Sequence, residues 1–179
     1  NNLAVGTDGR NRTLLSPFKS KTARNQPSNS EFIFGPSVWL RGLIKPRPGH
    51  SVAYLDWSSQ EIAIAAALSG DQVMWEGYAT GDPYIAFAIQ AGMAPVGATK
   101  TTHKDIRNRC KAIVLGVQYG MSAKSMALNA GLHEVEARDL LLRHRETYRT
   151  FWAWADQNVN AGLMGGTLYT RFGWPIRLG

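Results

Sequence analysis

Between residues 72 and 163 the sequence carries one helical start or stop signal after another, which commits about half of the 179 residues to α-helix. Asp82 and Pro83 begin one helix, with proline in its first turn, where its missing N–H costs nothing. Thr102 followed by Asp105 has the form of an N-terminal box for a helix running to about Val117 and ending near Gly120. Ser122 is placed to cap the next helix, which reaches Gly131. From His133 to about Asn160 an apolar series through Val135, Leu140, Tyr148 and Trp152 keeps helical spacing, with a break near Arg149.

The flanks read differently. Ser51 to Leu55 is a short apolar run of the kind found in buried strands, and it delivers Asp56 at its C-terminal end. The next segment, Ser59 to Leu68, is rich in Ile and Ala and is stopped by Ser69, Gly70 and Asp71, so strand passes to helix with a carboxylate at the junction. Val38 to Ile44 is also strand-like and is closed by Lys45, Pro46 and the turn at Pro48 and Gly49. Residues 167 to 178 read as a β-hairpin turning at Gly173. Residues 1 to 31 are polar and turn-rich, with Lys19, Lys21 and Arg24, as suits a linker or a loop ordered on a phosphate backbone. No internal repeat is present.

Charge narrows the partners. A formal net charge of +7 favours a polyanion, nucleic acid before anionic membrane. No apolar run approaches the ~20 residues of a spanning helix, and the N-terminus lacks a signal-peptide layout, so no membrane role is expected. Cys110 is the only cysteine, which excludes an internal disulfide framework or a multi-cysteine metal site and fits a reducing, cytoplasmic setting. The chain opens on Asn1 and closes on Gly179 just after the hairpin, and both ends are expected to be cuts in a longer protein.

Two constellations carry chemistry. Asp56 at the end of a strand offers hard oxygen to Mg²⁺, an ion usually bound by one or two carboxylates plus substrate phosphates. Glu61, at the first turn of the following helix, borders the same pocket. A simple helix cap is the other reading of Asp56. In the second constellation Arg107, Lys111, Leu115 and Tyr119 recur every four residues and drift across about a third of a helix circumference. That face presents two cations, an apolar platform and an aromatic ring, an order that suits a nucleoside triphosphate lying along the helix. A solvated basic face, with Leu115 and Tyr119 in the core, gives the same spacing.

Together these segments resemble a known family. Residues 52 to 71, with Asp56, Trp57 and Glu61, look like motif A of the family A DNA polymerases, the bacterial polymerase I type and its phage-like members in particular. Residues 107 to 122, from Arg107 through Lys111, Tyr119 and Gly120 to Ser122, resemble motif B, the O helix of the fingers. Thr22, Ala23 and Arg24 resemble the upstream Thr-Gly-Arg, Arg41, Ile44 and Pro46 fit the segment leading into motif A, and Gly166 to Gly173 resembles the strand pair after the fingers. The resemblance implies an α+β fold: a partial antiparallel palm sheet with a largely helical fingers subdomain. Residues 1–70 would be a palm segment, 71–165 the fingers, and 166–179 a hairpin returning to the palm.

It also implies roles in template-directed DNA synthesis. Asp56 would ligate both catalytic Mg²⁺ ions with help from the Trp57 carbonyl, and Lys111 would offset charge on the leaving pyrophosphate. Glu61 would exclude a ribose 2′-hydroxyl. Arg107 and Lys111 would hold the dNTP triphosphate, Leu115 and Tyr119 would pack on sugar and base, and Tyr84 sits where many relatives carry a histidine facing the triphosphate. Tyr119, Gly120 and Ser122 would border the template base, and Arg24 would reach the minor groove of the primer–template. Residues 100 to 120 would move as a lid.

Several positions depart from the family pattern. Leu115 replaces the usual aromatic, Ala63 replaces an arginine, and Trp174 with Pro175 interrupts an expected arginine pair. No His-Asp dipeptide occurs, so motif C with the second aspartate is expected beyond Gly179, and the thumb and motif C segment become required partners. The chain is therefore expected to be inactive alone. Two alternatives stay open: a single-subunit RNA polymerase, against which Glu61 argues, and a non-catalytic nucleic-acid-binding module.

Overall fold

The computed structural model describes residues 5–20, 24–27 and 38–176. The chain divides into two compact units, Asn1–Asp56 and Trp57–Gly179. Lys21, Thr22 and Ala23, named above, and the last residues of the 167–178 hairpin reading lie outside the described residues.

The first unit has little regular structure. Strands β1 (Leu15–Ser16) and β2 (Gln26–Pro27) pair antiparallel, with Leu15 opposite Pro27 and Ser16 opposite Gln26. The expected strand at Val38 to Ile44 is instead a 3₁₀ helix, Val38–Leu43. Its backbone finds partners locally, as where the Ile44 N–H donates to the Arg41 carbonyl at 3.1 Å, and no ladder is needed. The buried strand expected at Ser51 to Leu55 is also absent: these residues have no regular secondary structure and are exposed, Leu55 to 91%. An apolar run becomes a buried strand only when sheet covers it on both faces, and among the described residues none pairs with it. The Arg41 guanidinium instead lies over the Tyr54 ring, 5.1 Å from its centroid.

The second unit is helical: α1 (Gln60–Ser69), α2 (Gln72–Ala79), α3 (Pro83–Gln90), α4 (Lys104–Gln118), α5 (Ala123–Ala130), α6 (Glu134–Thr147) and α7 (Arg149–Leu163). It closes with the antiparallel pair β3 (Leu168–Tyr169) and β4 (Pro175–Ile176), turning at Gly173, whose φ is 80°. Helices with small antiparallel sheets make the α+β class expected above. No helix among the described residues is long and apolar enough to cross a membrane.

Most helix ends obey the punctuation of the sequence. Asp82 caps α3 by accepting from the Ile85 N–H, and Ser122 caps α5 by accepting from Ser125. Gly70 and Gly131 end α1 and α5 in the left-handed region at φ 72° and 65°, where a side chain would be strained. The Thr102–Asp105 box does not form. The N-cap of α4 is His103, one residue later, and the Thr102 hydroxyl is engaged with Thr99 and the His103 ring.

The core gathers Phe87, Ile113, Cys110, Met74, Met126 and Ala137 from α2 through α6. Burial pushes the Cys110 thiol up to about 12, so it is a packing group and not a nucleophile. Two polar groups are buried with them. Asp71 is 2% exposed and divides its carboxylate: Oδ1 accepts from the Met74 N–H at 2.9 Å, capping α2, and Oδ2 accepts from the Phe151 N–H at 2.9 Å, in the first turn of α7. His144 lies within an aromatic cage, 4.9 Å from the Tyr148 ring and 5.1 Å from Phe87 between centroids. Its Nδ1 accepts from the Trp152 indole N–H at 3.0 Å, which places the imidazole proton on Nε2, buried without an acceptor.

Two predictions follow from these groups. Asp71→Ala should lower unfolding free energy by about 2–4 kcal/mol, because two buried backbone donors lose a charged acceptor together, and urea denaturation followed by circular dichroism measures it. For His144, burial holds the folded imidazole near 3 against an ordinary value of 6.5. The unfolded chain thus binds a proton below 6.5 that the folded chain refuses. Stability from this group is full above that pH and declines by about 1.4 kcal/mol per unit as pH falls toward 3. His144→Phe should flatten the pH dependence of urea midpoints between pH 6.5 and 5.

Candidate functional site

Helix α4 sorts its residues by face. Cys110, Ile113, Val114 and Val117 are buried, whereas Arg107 and Leu115 are half-buried and Lys111 and Tyr119 exposed. The spaced series therefore runs along the accessible edge of a helix whose other side is core. Leu115 packs against that core, and Tyr119, at the C-cap, is 61% exposed.

Helix α3 supplies the floor. Pro83 and the Asp82 cap fix its first turn, and Tyr84, 7% exposed, lies under both cations. The Arg107 guanidinium carbon is 5.2 Å from the Tyr84 centroid and the Lys111 ammonium 5.8 Å, within the range of a cation–π contact. The Tyr84 hydroxyl is 3.5 Å from Ser59 Oγ, just ahead of α1. Ser59 has a left-handed backbone, φ 47°, a conformation that non-glycine residues adopt at some cost and that turns the chain into α1, where Glu61 is half-buried in the first turn.

Arg107 is further held by Asp82, whose Oδ2 accepts from Nε at 2.6 Å. The reading of Asp82 as a helix start used one carboxylate oxygen and missed the other. Its partner lies 25 residues away and left no mark in local spacing. Lys111 has no carboxylate partner among the described residues. A cavity of about 620 Å³ adjoins the pair, lined by Asp82, Arg107, Lys100, Thr99 and Gly81 among others.

The C-terminal end of α4 is closed on itself. Gly120, at φ 63°, lets the Met121 N–H reach the Gly116 carbonyl at 2.9 Å and its own N–H reach Val117 at 3.0 Å, a Schellman ending. Ser122 follows at once as the cap of α5. Gly116 makes the α4–α5 contact close: a Cβ there would lie 2.9 Å from Met126 Cγ.

The remaining candidates stand apart from this cluster in the chain. Asp56 is exposed and ends the first unit, and Trp57 is 81% exposed at the start of the second. Arg24 is exposed in the first unit, where its backbone N–H donates to Ser20 Oγ at 2.7 Å. Among the described residues no three His, Cys, Asp or Glu side chains converge on a metal position. A single carboxylate at Asp56 still suits Mg²⁺, whose other ligands are substrate phosphates and water.

Against known proteins, the sequence matches DNA polymerase family A over residues 34–177. The chain belongs to that family. The chain is 24% identical over 169 residues to the DNA polymerase of Mycobacterium phage D29, covering 93% of the chain and 27% of the phage enzyme. It is 31% identical over 125 residues to DNA polymerase I of Synechocystis, covering 70% of the chain and 12% of that enzyme. Its fold matches the POL domain of Pol1 from M. smegmatis, solved in complex with DNA primer-template and dNTP, with TM-score 0.80, 23% identity, and coverage of 97% of the chain and 31% of that structure. The chain thus spans less than a third of the length of these relatives.

The close α4–α5 contact makes one prediction. Gly116→Ala should lower unfolding free energy by about 1–3 kcal/mol, because the Met126 side chain is displaced near its root and not at its flexible tip. Chemical denaturation of the purified chain measures the loss.

Proposed function

We propose that this chain is the palm–fingers segment of a template-directed DNA polymerase, transferring deoxynucleotides from dNTP to a primer 3′ end. Membership of family A and relatives named as DNA polymerases support the activity. The observation that carries the site assignment is the pair Arg107 and Lys111, set side by side over the Tyr84 ring on the accessible edge of α4.

In this reading residues 1–70 belong to the palm, 71–165 to the fingers and 166–179 to the hairpin returning to the palm. Arg107 and Lys111 receive the triphosphate, and Lys111 also offsets charge on departing pyrophosphate. Leu115 and Tyr119 pack on sugar and base, with Tyr84 beneath the phosphate-binding cations. Glu61 closes the space beside C2′, so that deoxyribose fits and ribose does not. Tyr119, Gly120 and Ser122 border the template base, and Arg24 meets the primer–template minor groove. Residues 100 to 120 act as the lid over the bound nucleotide. Asp56, with the Trp57 carbonyl, would hold Mg²⁺, which would supply positive charge to offset the phosphoryl oxygens when bound. Phosphoryl transfer depends mainly on positioning and on charge offset, which is what a pair of preset cations supplies. The thumb and the motif C segment are the partners this reading requires, and the setting is the cytoplasm of a bacterial or phage-infected cell.

The test is titration of the purified chain with dGTP in Mg²⁺, followed by tryptophan fluorescence or calorimetry. Arg107→Ala and Lys111→Ala should each weaken binding about ten- to a hundredfold, the value of a charge-assisted phosphate contact. Unchanged binding in both variants overturns the nucleotide-site assignment. Mg²⁺-dependent primer extension by the 179-residue chain alone would overturn its reading as an incomplete catalytic core.

A further inference from the structure

Asp82 does two jobs with one carboxylate. Oδ1 accepts from the Ile85 N–H at 3.3 Å and caps α3, while Oδ2 accepts from Arg107 Nε at 2.6 Å. Both side chains are about a quarter exposed, at 24% and 23%, so the pair sits in a partly desolvated position where charge pairing is stronger than on an open surface. Which nitrogen is used matters. A guanidinium carries five N–H donors in a planar fork, and an acceptor on Nε leaves the outer edge, with both Nη groups, unspent. The Arg107 guanidinium makes no other hydrogen bond among the described residues.

The Tyr84 ring fixes the remaining freedom. It lies two residues after Asp82, on the same helical turn, 5.2 Å from the Arg107 guanidinium carbon. One residue of the Asp82–Pro83–Tyr84 turn thus holds the guanidinium edge and another holds its face. An arginine free in solution would lose much of its rotamer entropy on binding phosphate, and one already held has lost it.

We propose that Asp82 is a positioning residue for nucleotide recognition: by occupying Nε it presents the two-pronged Nη edge of Arg107 to the triphosphate. This rests on the nucleotide-site reading above. Asp82 touches no substrate itself, and its whole effect on binding passes through Arg107. The carboxylate therefore strengthens binding of an anion despite its own negative charge. The same charge would repel a triphosphate if Arg107 were absent.

The experiment is a double-mutant cycle. Asp82→Ser keeps an oxygen that caps α3 but is too short to reach Nε, and Asp82→Asn keeps length and cap but turns an NH₂ donor toward Nε, losing both the charge and the bond. Each is combined with Arg107→Ala, and dGTP and inorganic tripolyphosphate are titrated in Mg²⁺, with thermal unfolding as the check on folding. Asp82→Ser and Asp82→Asn should each weaken both ligands roughly tenfold in the presence of Arg107. In the Arg107→Ala background Asp82→Ser should have no weakening effect. Equal weakening in both backgrounds assigns Asp82 a structural role and overturns the proposal. Tighter binding in Asp82→Ser also overturns it, since the carboxylate would then be competing with phosphate for Arg107. Failure of Arg107→Ala and Lys111→Ala to weaken binding overturns the nucleotide site as a whole, a result distinct from either. If Asp82→Ser unfolds, the cycle run with Asp82→Asn decides the matter on the same criteria.

Discussion

The helical unit depends on one buried carboxylate. Asp71 sits where α1 turns into α2, just after left-handed Gly70, and it receives backbone N–H groups from the first turns of two helices, the second donor lying 80 residues along the chain. Each helix start leaves donors that the helix itself cannot satisfy, and each carries a partial positive charge. One carboxylate between two such ends answers both needs and sets the distance between α2 and α7. Because α7 also packs on α1 and leads into β3, the segment after the helices inherits its place from this bond. The neighbouring Tyr148 hydroxyl extends the tie. It donates to the Gln90 side chain at 2.8 Å, and the Gln90 amide donates to the Val73 carbonyl at 2.9 Å, so α2, α3 and the α6–α7 junction share one chain of bonds.

That scaffold is what holds the candidate site in place. Tyr84 is held in a first turn that is itself capped, and its ring is covered by two cations and packed into the core. An exposed tyrosine would offer the same quadrupole at greater entropic cost and with water competing for it. The buried face of α4 fixes rotation of the helix about its axis, so Arg107, Lys111 and Tyr119 keep to one edge while Cys110 and Ile113 stay inside.

Local signals were legible in the sequence and remote ones were not. The Asp82–Pro83 start, the Ser122 cap and the glycine stops at Gly70, Gly120 and Gly131 all lie within a few residues of what they control, and each is found in place. The apolar run from Ser51 to Leu55 misled because a strand is defined by its neighbours, and composition does not say whether they are present. Val38–Leu43 failed as a strand for the same reason, since i to i+3 bonds met its needs first. Thr102 had the right spacing for a cap, yet its hydroxyl found nearer partners in Thr99 and His103. Asp82 was readable as a helix start and Asp71 only as part of a helix stop, while one oxygen of each went to a partner that only the fold brings near.

The two ends of α4 are fastened by different means, and this makes the helix a spacer. Its C-terminal end is locked by the Schellman turn and by immediate entry into α5, whereas toward the other end, where His103 offers no side-chain cap, Arg107 is tied to Asp82 and the Tyr84 ring. Arg107 lies twelve residues from Tyr119, a span of about 18 Å at 1.5 Å per residue. Along that span the helix keeps an exposed aromatic ring at one end and a guanidinium held in one orientation near the other.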